Sequence, residues 1–454
     1  MESITGFIGK ITSVTEWLML FFIIGGGLFL AFYSRFTPFR YFKHAVQVVA
    51  GKYDKAEDAG NVSHFQALSS VIAATVGLGN ISGVAIAIHH GGPGVVFWMW
   101  VTAVVGSCIK FYSCGLSILY REKDDEGNVL GGPMYYMTLG IKKIGRPMAV
   151  FFCCAALIGV LPAFTANQLT QSVIGVINPN SMWELGNFRW KLIIAGFLVL
   201  LTSLVIFGGL KSIVKVSTAV VPFMVLFYML LAAFILFSNA EGVLPAFKLI
   251  FSEAFNTNTM FQGSLWGLIL LGVRRAVFSN ESGLGTAPMY HGQSKTNEPV
   301  HEGLVAMLGP FIDTLLVCTI TALIIIISGV YINNDANGIL LTLSAFEKLF
   351  YGYGNEILMV MILSFGISTL LTYSYYGTKC LNFLTGRKVD AFYNIFYIFS
   401  IIFAAIATVD LVVGLIDLAF ALMSIPNMIA ILWLSPKMNI AMKTYFKNFH
   451  GKKT

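Results

Sequence analysis

The stretch Val76-Gly77-Leu78-Gly79-Asn80 puts two glycines and a carboxamide in the middle of an apolar segment long enough to cross a bilayer. Glycine is a poor helix former, so this composition favours an unwound turn over an unbroken helix. Within hydrocarbon, freed backbone groups are tolerated only where they line a cavity or are buried in protein. Unwinding here would free the amides of Leu78 and Gly79. It would also start a second half-helix whose positive end attracts an anion such as a carboxylate. The carbonyls that end the first half-helix, over about Ala73–Val76, suit a hard cation, with the Asn80 oxygen as a further ligand. Thr75, Gly77, Leu78, Gly79 and Asn80 are therefore the first candidate substrate contacts. The competing account is mechanical: Gly79-x-x-x-Gly83 as a helix-packing groove, with Asn80 bonded to a neighbouring helix.

A second segment repeats the theme. Glycines punctuate residues 258–289, and a second break is expected near Gly272–Val273. Gly272, Val273, Ala276 and Phe278 join the candidate substrate contacts. Ser368 and Thr369 are adjacent hydroxyls inside another apolar span. They either bond back to the carbonyl one turn earlier or offer oxygens to sodium beside the first break. Thr165, Asn167 and Gln168 lie near mid-membrane, where polar groups must find partners. Those partners are either the charged ends of a substrate or neighbouring helices. Arg274 and Arg275 could neutralise a carboxylate. Pairing with Glu281 or with Asp313 is the favoured role, because backbone amides already supply an anion site. Lys110 and Asp417 lie near span ends and are expected to snorkel to the interface.

The elements that must position these residues are membrane helices. The chain has 454 residues, of which 57% are hydrophobic and only 11% charged. Its mean hydropathy is +0.78. Eleven spans are expected, at about 16–34, 66–89, 95–120, 147–177, 191–208, 216–238, 258–289, 302–329, 355–380, 391–409 and 412–434. Residues 1–16 lack the features of a cleavable signal peptide. The net charge of +7 does not point to nucleic acid, because the basic residues sit in short loops between spans. With the C-terminus cytoplasmic and the N-terminus outside, 21 of them fall on the cytoplasmic side and 5 outside. All six cysteines lie in apolar segments, with neither metal-site nor disulfide spacing.

The two glycine-broken spans start five spans apart and so run in opposite directions. That arrangement predicts two inverted five-helix repeats, about 66–238 and 258–434, within a single membrane domain over 1–454, with span 16–34 peripheral.

The order Val76-Gly77-Leu78-Gly79-Asn80 resembles the unwound first core helix of sodium-coupled neurotransmitter and amino-acid symporters of the LeuT type. More of the chain is similar to the alanine or glycine:cation symporters. The resemblance rests on Gly91-Gly92-Pro93-Gly94-Val95-Val96-Phe97-Trp98-Met99-Trp100, with Val95 standing where a small residue is expected. It rests also on Gly272 through Pro288, which includes Phe278-Ser279-Asn280-Glu281-Ser282-Gly283. There Ala276 and Ser282 replace glycine and alanine. The third stretch is Phe365-Gly366-Ile367-Ser368-Thr369 with Ser374-Tyr375-Tyr376-Gly377, where Tyr373 stands in place of a common tryptophan. The resemblance implies a LeuT-like fold and sodium-driven uptake of alanine or glycine, with sodium as coupling ion and no other cofactor. By similarity to the second sodium site of LeuT-type proteins, the Ala73, Val76 and Phe365 carbonyls would join Ser368 and Thr369 as ligands.

Other function classes fit less well. A channel should show a filter motif contributed by several segments. An enzyme needs a nucleophile, metal ligands or paired carboxylates at one depth, and His89-His90 has no third ligand in view. No phosphate-binding loop supports ATP-driven pumping. Proton coupling is the main alternative to sodium, with Asp313 and Glu281 as candidate carriers. The expected protein is thus a multi-pass transporter of the cell membrane, with alanine, glycine, sodium and the bilayer as partners.

Overall fold

The computed structural model describes residues 14–55, 57–124, 127–177, 186–255, 264–332, 338–350, 352–386 and 388–451. Lys10, Arg387, Lys452 and Lys453 of the charge count, and the start of the predicted span 258–289, lie outside the described residues. The protein is built almost wholly of helices, with one short antiparallel ribbon pairing Glu122–Lys123 with Val129–Leu130. Among the described residues, eight helices are long and apolar enough to cross a membrane, or nine if one sharply bent pair counts as a single span. Val14–Tyr33, Val95–Leu119 and Pro299–Ser328 lie within a few residues of predicted spans, whereas Leu411–Phe449 runs 15 residues past the end of the predicted 412–434. Two further predicted spans correspond to shorter helices, Leu265–Asn280 of 16 residues and Asp390–Ile406 of 17. All six cysteines are free.

The bent pair is the segment singled out by its glycines. Helix His64–Thr75 starts at a capping box, in which the Ser63 hydroxyl accepts from the Gln66 N–H and the Gln66 side chain accepts from the Ser63 N–H. It ends at Val76, and the chain resumes as Gly79–Gly91 at an angle of 51° to the first half. The second half opens with a wide π-helical turn, Gly79–Gly83, bounded at both ends by glycine.

The second break is displaced from its expected place. Helix Leu265–Asn280 runs without interruption through Gly272 and Val273. A Cβ on Gly272 would stand 2.6 Å from the Trp98 Cβ and 3.1 Å from the Val95 carbonyl oxygen. This glycine lets two helices touch rather than letting one unwind. The helix ends eight residues later, where Glu281, Gly283 and Gly285 have φ of 55°, 83° and 91°. A short helix, Ala287–His291, then follows, with proline in its first turn. Left-handed backbone at alternate positions cannot continue a right-handed helix.

A third interruption lies at Val160–Pro162, between helices Gly145–Gly159 and Ala163–Ile177. Helix Gly354–Thr385, which carries Ser368 and Thr369, is continuous over its 32 residues.

Candidate functional site

The first break leaves backbone groups free. Helix His64–Thr75 makes no further turn past Val76, so its last carbonyls have no amide partner four residues on. The Gly77 N–H is held by the Asn80 Oδ1 at 3.2 Å and by the Thr75 carbonyl at 2.9 Å. The Asn80 Nδ2 donates to the Asp313 carbonyl at 3.3 Å. Asn80 thus braces the break from behind. Leu78 and Gly79 open the second half-helix, where N–H groups have no intrahelical acceptor.

These residues face a small cavity of about 20 Å3. Thr75, Gly77, Leu78 and Gly79 form one wall, and Phe278, Thr369 and Tyr373 come from the facing helices. Leu161, Phe164 and Thr165 enter from the third interruption, and Ile416 and Phe420 from Leu411–Phe449. The Phe278 ring packs edge-on to Phe164, at 4.6 Å between centroids, and lies 5.7 Å from Phe420. A Cβ on Gly79 would come within 3.2 Å of that ring. The Thr75 hydroxyl is buried with no hydrogen-bond partner in the structure. A buried hydroxyl of this kind on a cavity wall is a vacant donor and acceptor for a polar ligand.

Beside the cavity, five oxygens converge. The Ser368 Oγ donates to the Ala73 carbonyl at 3.2 Å and the Phe365 carbonyl at 2.8 Å. The Thr369 Oγ1 lies 3.2 Å from the Ala73 carbonyl, 3.4 Å from that of Ala74 and 3.0 Å from that of Phe365. The first of the two expected roles, bonding back along their own helix, is seen directly. They bond back one turn, and they reach across to the end of the first half-helix. Ala73, Phe365, Ser368 and Thr369 come together as expected. The third carbonyl they reach is that of Ala74, rather than that of Val76. Every oxygen in the group is neutral, which suits a monovalent cation that must bind and leave. No group of three or more His, Cys, Asp or Glu side chains among the described residues could hold a metal ion.

Several predicted contacts lie elsewhere. Asn167 donates to the carbonyls of Ala404 at 3.1 Å and Ala407 at 2.7 Å, tying its helix to the end of Asp390–Ile406. Gln168 accepts from the Ser82 Oγ at 2.5 Å and donates to the Asn167 Oδ1 at 3.2 Å. Neither side chain lines the cavity; each joins helices. Gly272, Val273 and Ala276 are buried in the packing of a continuous helix, and only Phe278 of that group reaches the cavity.

The arginines do form structural pairs, but not with Glu281 or Asp313. Arg275 is buried and bonded to Asp417, and Arg274 is bonded to Glu16 at 2.6 Å with Asp417 at 3.7 Å. Glu281 instead accepts from the Thr286 hydroxyl at 2.5 Å, within its own break. Asp313 accepts from Ser279 and from the Thr314 hydroxyl. Asp417 and Lys110 do not snorkel: they are 5% and 1% exposed. Arg275 also lies over the Phe278 ring, 5.3 Å from its centroid, which ties the charge network to the cavity wall. Leu161, Ile416 and Phe420 were not foreseen from sequence. Pro162 was the available signal for the first of them, since proline inside a predicted span removes a helical hydrogen bond and breaks or kinks the helix.

The sequence matches the sodium:alanine symporter family over residues 1–454. The chain belongs to that family. It is 39% identical over 425 residues to the sodium/alanine symporter AgcS of Methanococcus maripaludis, covering 92% of this chain and 91% of that protein. It is 34% identical over 448 residues to the amino-acid carrier protein AlsT of Bacillus subtilis, covering 98% and 92%. Its fold is similar to that of MhsT, solved in complex with L-phenylalanine, at a TM-score of 0.59 and 12% identity over 81% of this chain and 89% of that one. Family and fold together make this a multi-pass LeuT-fold transporter, not an enzyme.

Proposed function

We propose that this protein is a sodium-coupled symporter of small neutral amino acids, alanine and glycine, working by alternating access. Eleven spans carry it, as two inverted five-helix repeats at about 66–238 and 258–434, with 16–34 peripheral. The N-terminus is outside and the C-terminus cytoplasmic. The observation that supports this most is the adjacency of two unlike polar sites at one break. Leu78 and Gly79, which open the second half-helix, and Thr75 with its vacant hydroxyl line the cavity, while five neutral oxygens converge on its flank.

The division of labour follows from charge. The positive end of the half-helix at Leu78–Gly79 favours a substrate carboxylate. Carbonyls that end a half-helix favour an ammonium group or a sodium ion. An amino acid carrying both charges leaves no bare charge in a low-dielectric site. Three phenylalanines and Tyr373 close the cavity to about 20 Å3, roughly the space of one water, so these rings must part to admit even a small amino acid. Sodium at Ala73, Ala74, Phe365, Ser368 and Thr369 would hold the end of the first half-helix against Gly354–Thr385, and so fix the wall that the substrate meets. Each ligand then stabilises the geometry the other needs, which makes coupling reciprocal.

The test is uptake of labelled alanine into proteoliposomes under separate sodium and proton gradients. Sodium-driven uptake that glycine competes for, and that lactate and alaninamide compete for far less well, is the expected result. Uptake driven by protons alone would overturn sodium coupling. Equal competition by lactate would overturn the zwitterion site.

A further inference from the structure

Between Glu16 and Asp54 the chain carries four basic residues, Arg35, Arg40, Lys43 and Lys52, and no acidic one. The first three follow directly on the span Val14–Tyr33. There the chain turns sharply. Arg35 and Phe36 are consecutive non-glycine residues in the left-handed region, with φ of 54° and 55°. Such a pair is unfavourable for L-amino acids, which visit this region mostly as single residues. Two short helices follow, Thr37–Arg40 and Phe42–Val49.

One face of this segment is fixed to the rest of the protein. The Asn439 Nδ2 donates to the Tyr33 carbonyl at 3.3 Å. Tyr41 stacks on Phe446 with 3.8 Å between ring centroids, and the His44 Nε2 lies 2.6 Å from the Tyr445 hydroxyl. His44, Ala45 and Val48 are buried. On the other face Arg35, Phe36, Arg40, Phe42, Lys43 and Val46 are all exposed. The contacts beneath hold this mixed basic and apolar face in one place.

That place is the edge of the bilayer. The segment begins where a membrane span ends. The Phe42 ring packs edge-on to that of Phe311, at 5.2 Å, and Phe311 is an exposed residue of the span Pro299–Ser328. A face of this kind sorts its side chains at such an edge. Rings and valine enter the boundary of headgroups and acyl chains, and long basic side chains reach out to the headgroups. Its own stretch of chain supplies no carboxylate to meet the three positive charges. An anionic headgroup does. Each basic residue at the surface strengthens attraction to an anionic leaflet roughly fivefold.

We propose that Arg35, Arg40 and Lys43, with Phe36, Phe42 and Val46, form a docking face for anionic phospholipid headgroups of the cytoplasmic leaflet. The leaflet named rests on the orientation proposed above.

Quenching of a fluorophore by brominated lipids tests it. The full chain carries the label on Val46→Cys, with the exposed Cys154 replaced by serine. A second protein carries it on Phe223→Cys, an exposed position midway along Gly209–Ser238. Each is reconstituted in vesicles of equal parts phosphatidylcholine and phosphatidylglycerol, with one lipid or the other brominated. At position 46 brominated phosphatidylglycerol should quench roughly fivefold or more better than brominated phosphatidylcholine. At position 223 the two should quench equally. Combining Arg35→Gln, Arg40→Gln and Lys43→Gln should abolish the preference at position 46, and these exposed changes leave the buried face intact. Equal quenching at position 46 in the unmodified face overturns the anionic site. Quenching at position 223 with none at position 46 overturns contact with the bilayer. Loss of the preference on adding inorganic phosphate at constant ionic strength overturns a lipid in favour of a free anion. Orientation is read separately, from a membrane-impermeant thiol reagent applied to intact cells expressing Lys52→Cys in the Cys154→Ser background. Protection supports the cytoplasmic leaflet, and labelling overturns it whatever the lipid preference.

Discussion

The two broken helices solve the same backbone problem in opposite ways. At the first break, Val76–Leu78, the first-turn residues of the new half-helix line a cavity, and the Ala73 and Ala74 carbonyls meet hydroxyls from another helix. At the second, residues 281–286, side chains of the break and of a neighbouring helix take up freed backbone groups, while the buried Glu281 Oε1 and Ser282 Oγ have no partner. The Asn280 Oδ1 accepts from the Ser282 N–H at 2.9 Å, Glu281 accepts from Thr286, and the Gly283 carbonyl accepts from the Asn427 Nδ2 at 2.7 Å. Backbone polar groups in a membrane must be paired by something. What separates the two is the cavity: residues 75 and 77–79 of the first break line it, and no residue of 281–286 does.

This contrast can be broken by substitution. The largest effect is expected at the second break. Gly283→Val places a β-branched side chain at φ 83°, against Ile23 and Met428. Strain and overpacking together cost on the order of 3 kcal/mol or more, so little folded protein should survive detergent extraction and size-exclusion chromatography. Recovery of normal, monodisperse protein would mean that the second break is not a structural joint.

At the first break the loss should be functional. Gly79 has ordinary helical neighbours, but its missing side chain leaves the cavity beside Phe278 open. Gly79→Leu should abolish alanine uptake while the purified protein keeps its elution profile and helical circular dichroism. Normal uptake by such protein would remove the substrate from this cavity.

The next effect separates ion from substrate within the first break. Ser368→Ala with Thr369→Ala deletes two of the five converging oxygens. At about 1 kcal/mol per lost polar contact, the sodium concentration for half-maximal uptake should rise roughly tenfold or more. Alanine affinity should also become less sensitive to sodium. Unchanged sodium activation would place the ion elsewhere. The smallest effect is expected at Thr75, whose hydroxyl has no protein partner to lose. Thr75→Val should weaken half-saturation for alanine roughly fivefold, the equivalent of about 1 kcal/mol, and leave sodium activation nearly unchanged. An effect on sodium equal to that on alanine would merge the two sites.

Much of this molecule was legible in its sequence because the bilayer makes the rules local. Hydropathy alone locates the spans, since each must bury its own backbone within hydrocarbon. The first break was legible because Gly77, Gly79 and Asn80 cluster within one apolar span, and paired hydroxyls at Ser368 and Thr369 stood out in another. The family was legible from Phe278-Ser279-Asn280-Glu281 and its flanks, over the whole length of the chain.

Other features are decided by neighbours that the sequence does not specify. Gly272 and Gly283 are the same residue type in one punctuated segment. One lets Trp98 approach and the other bends the chain, because helix contact and backbone torsion are both reasons to omit a side chain. Arg275 needed a buried carboxylate, and which one depended on the approach of Leu411–Phe449, which brought Asp417 within reach and left Glu281 to Thr286. Asn167 and Gln168 needed partners at mid-membrane, and adjacent helices supplied them before the cavity could. Local composition determined where this chain crosses the membrane and where it first unwinds. Only tertiary packing decided which unpaired groups remain for a ligand, because pairing is a property of two surfaces and not of one segment.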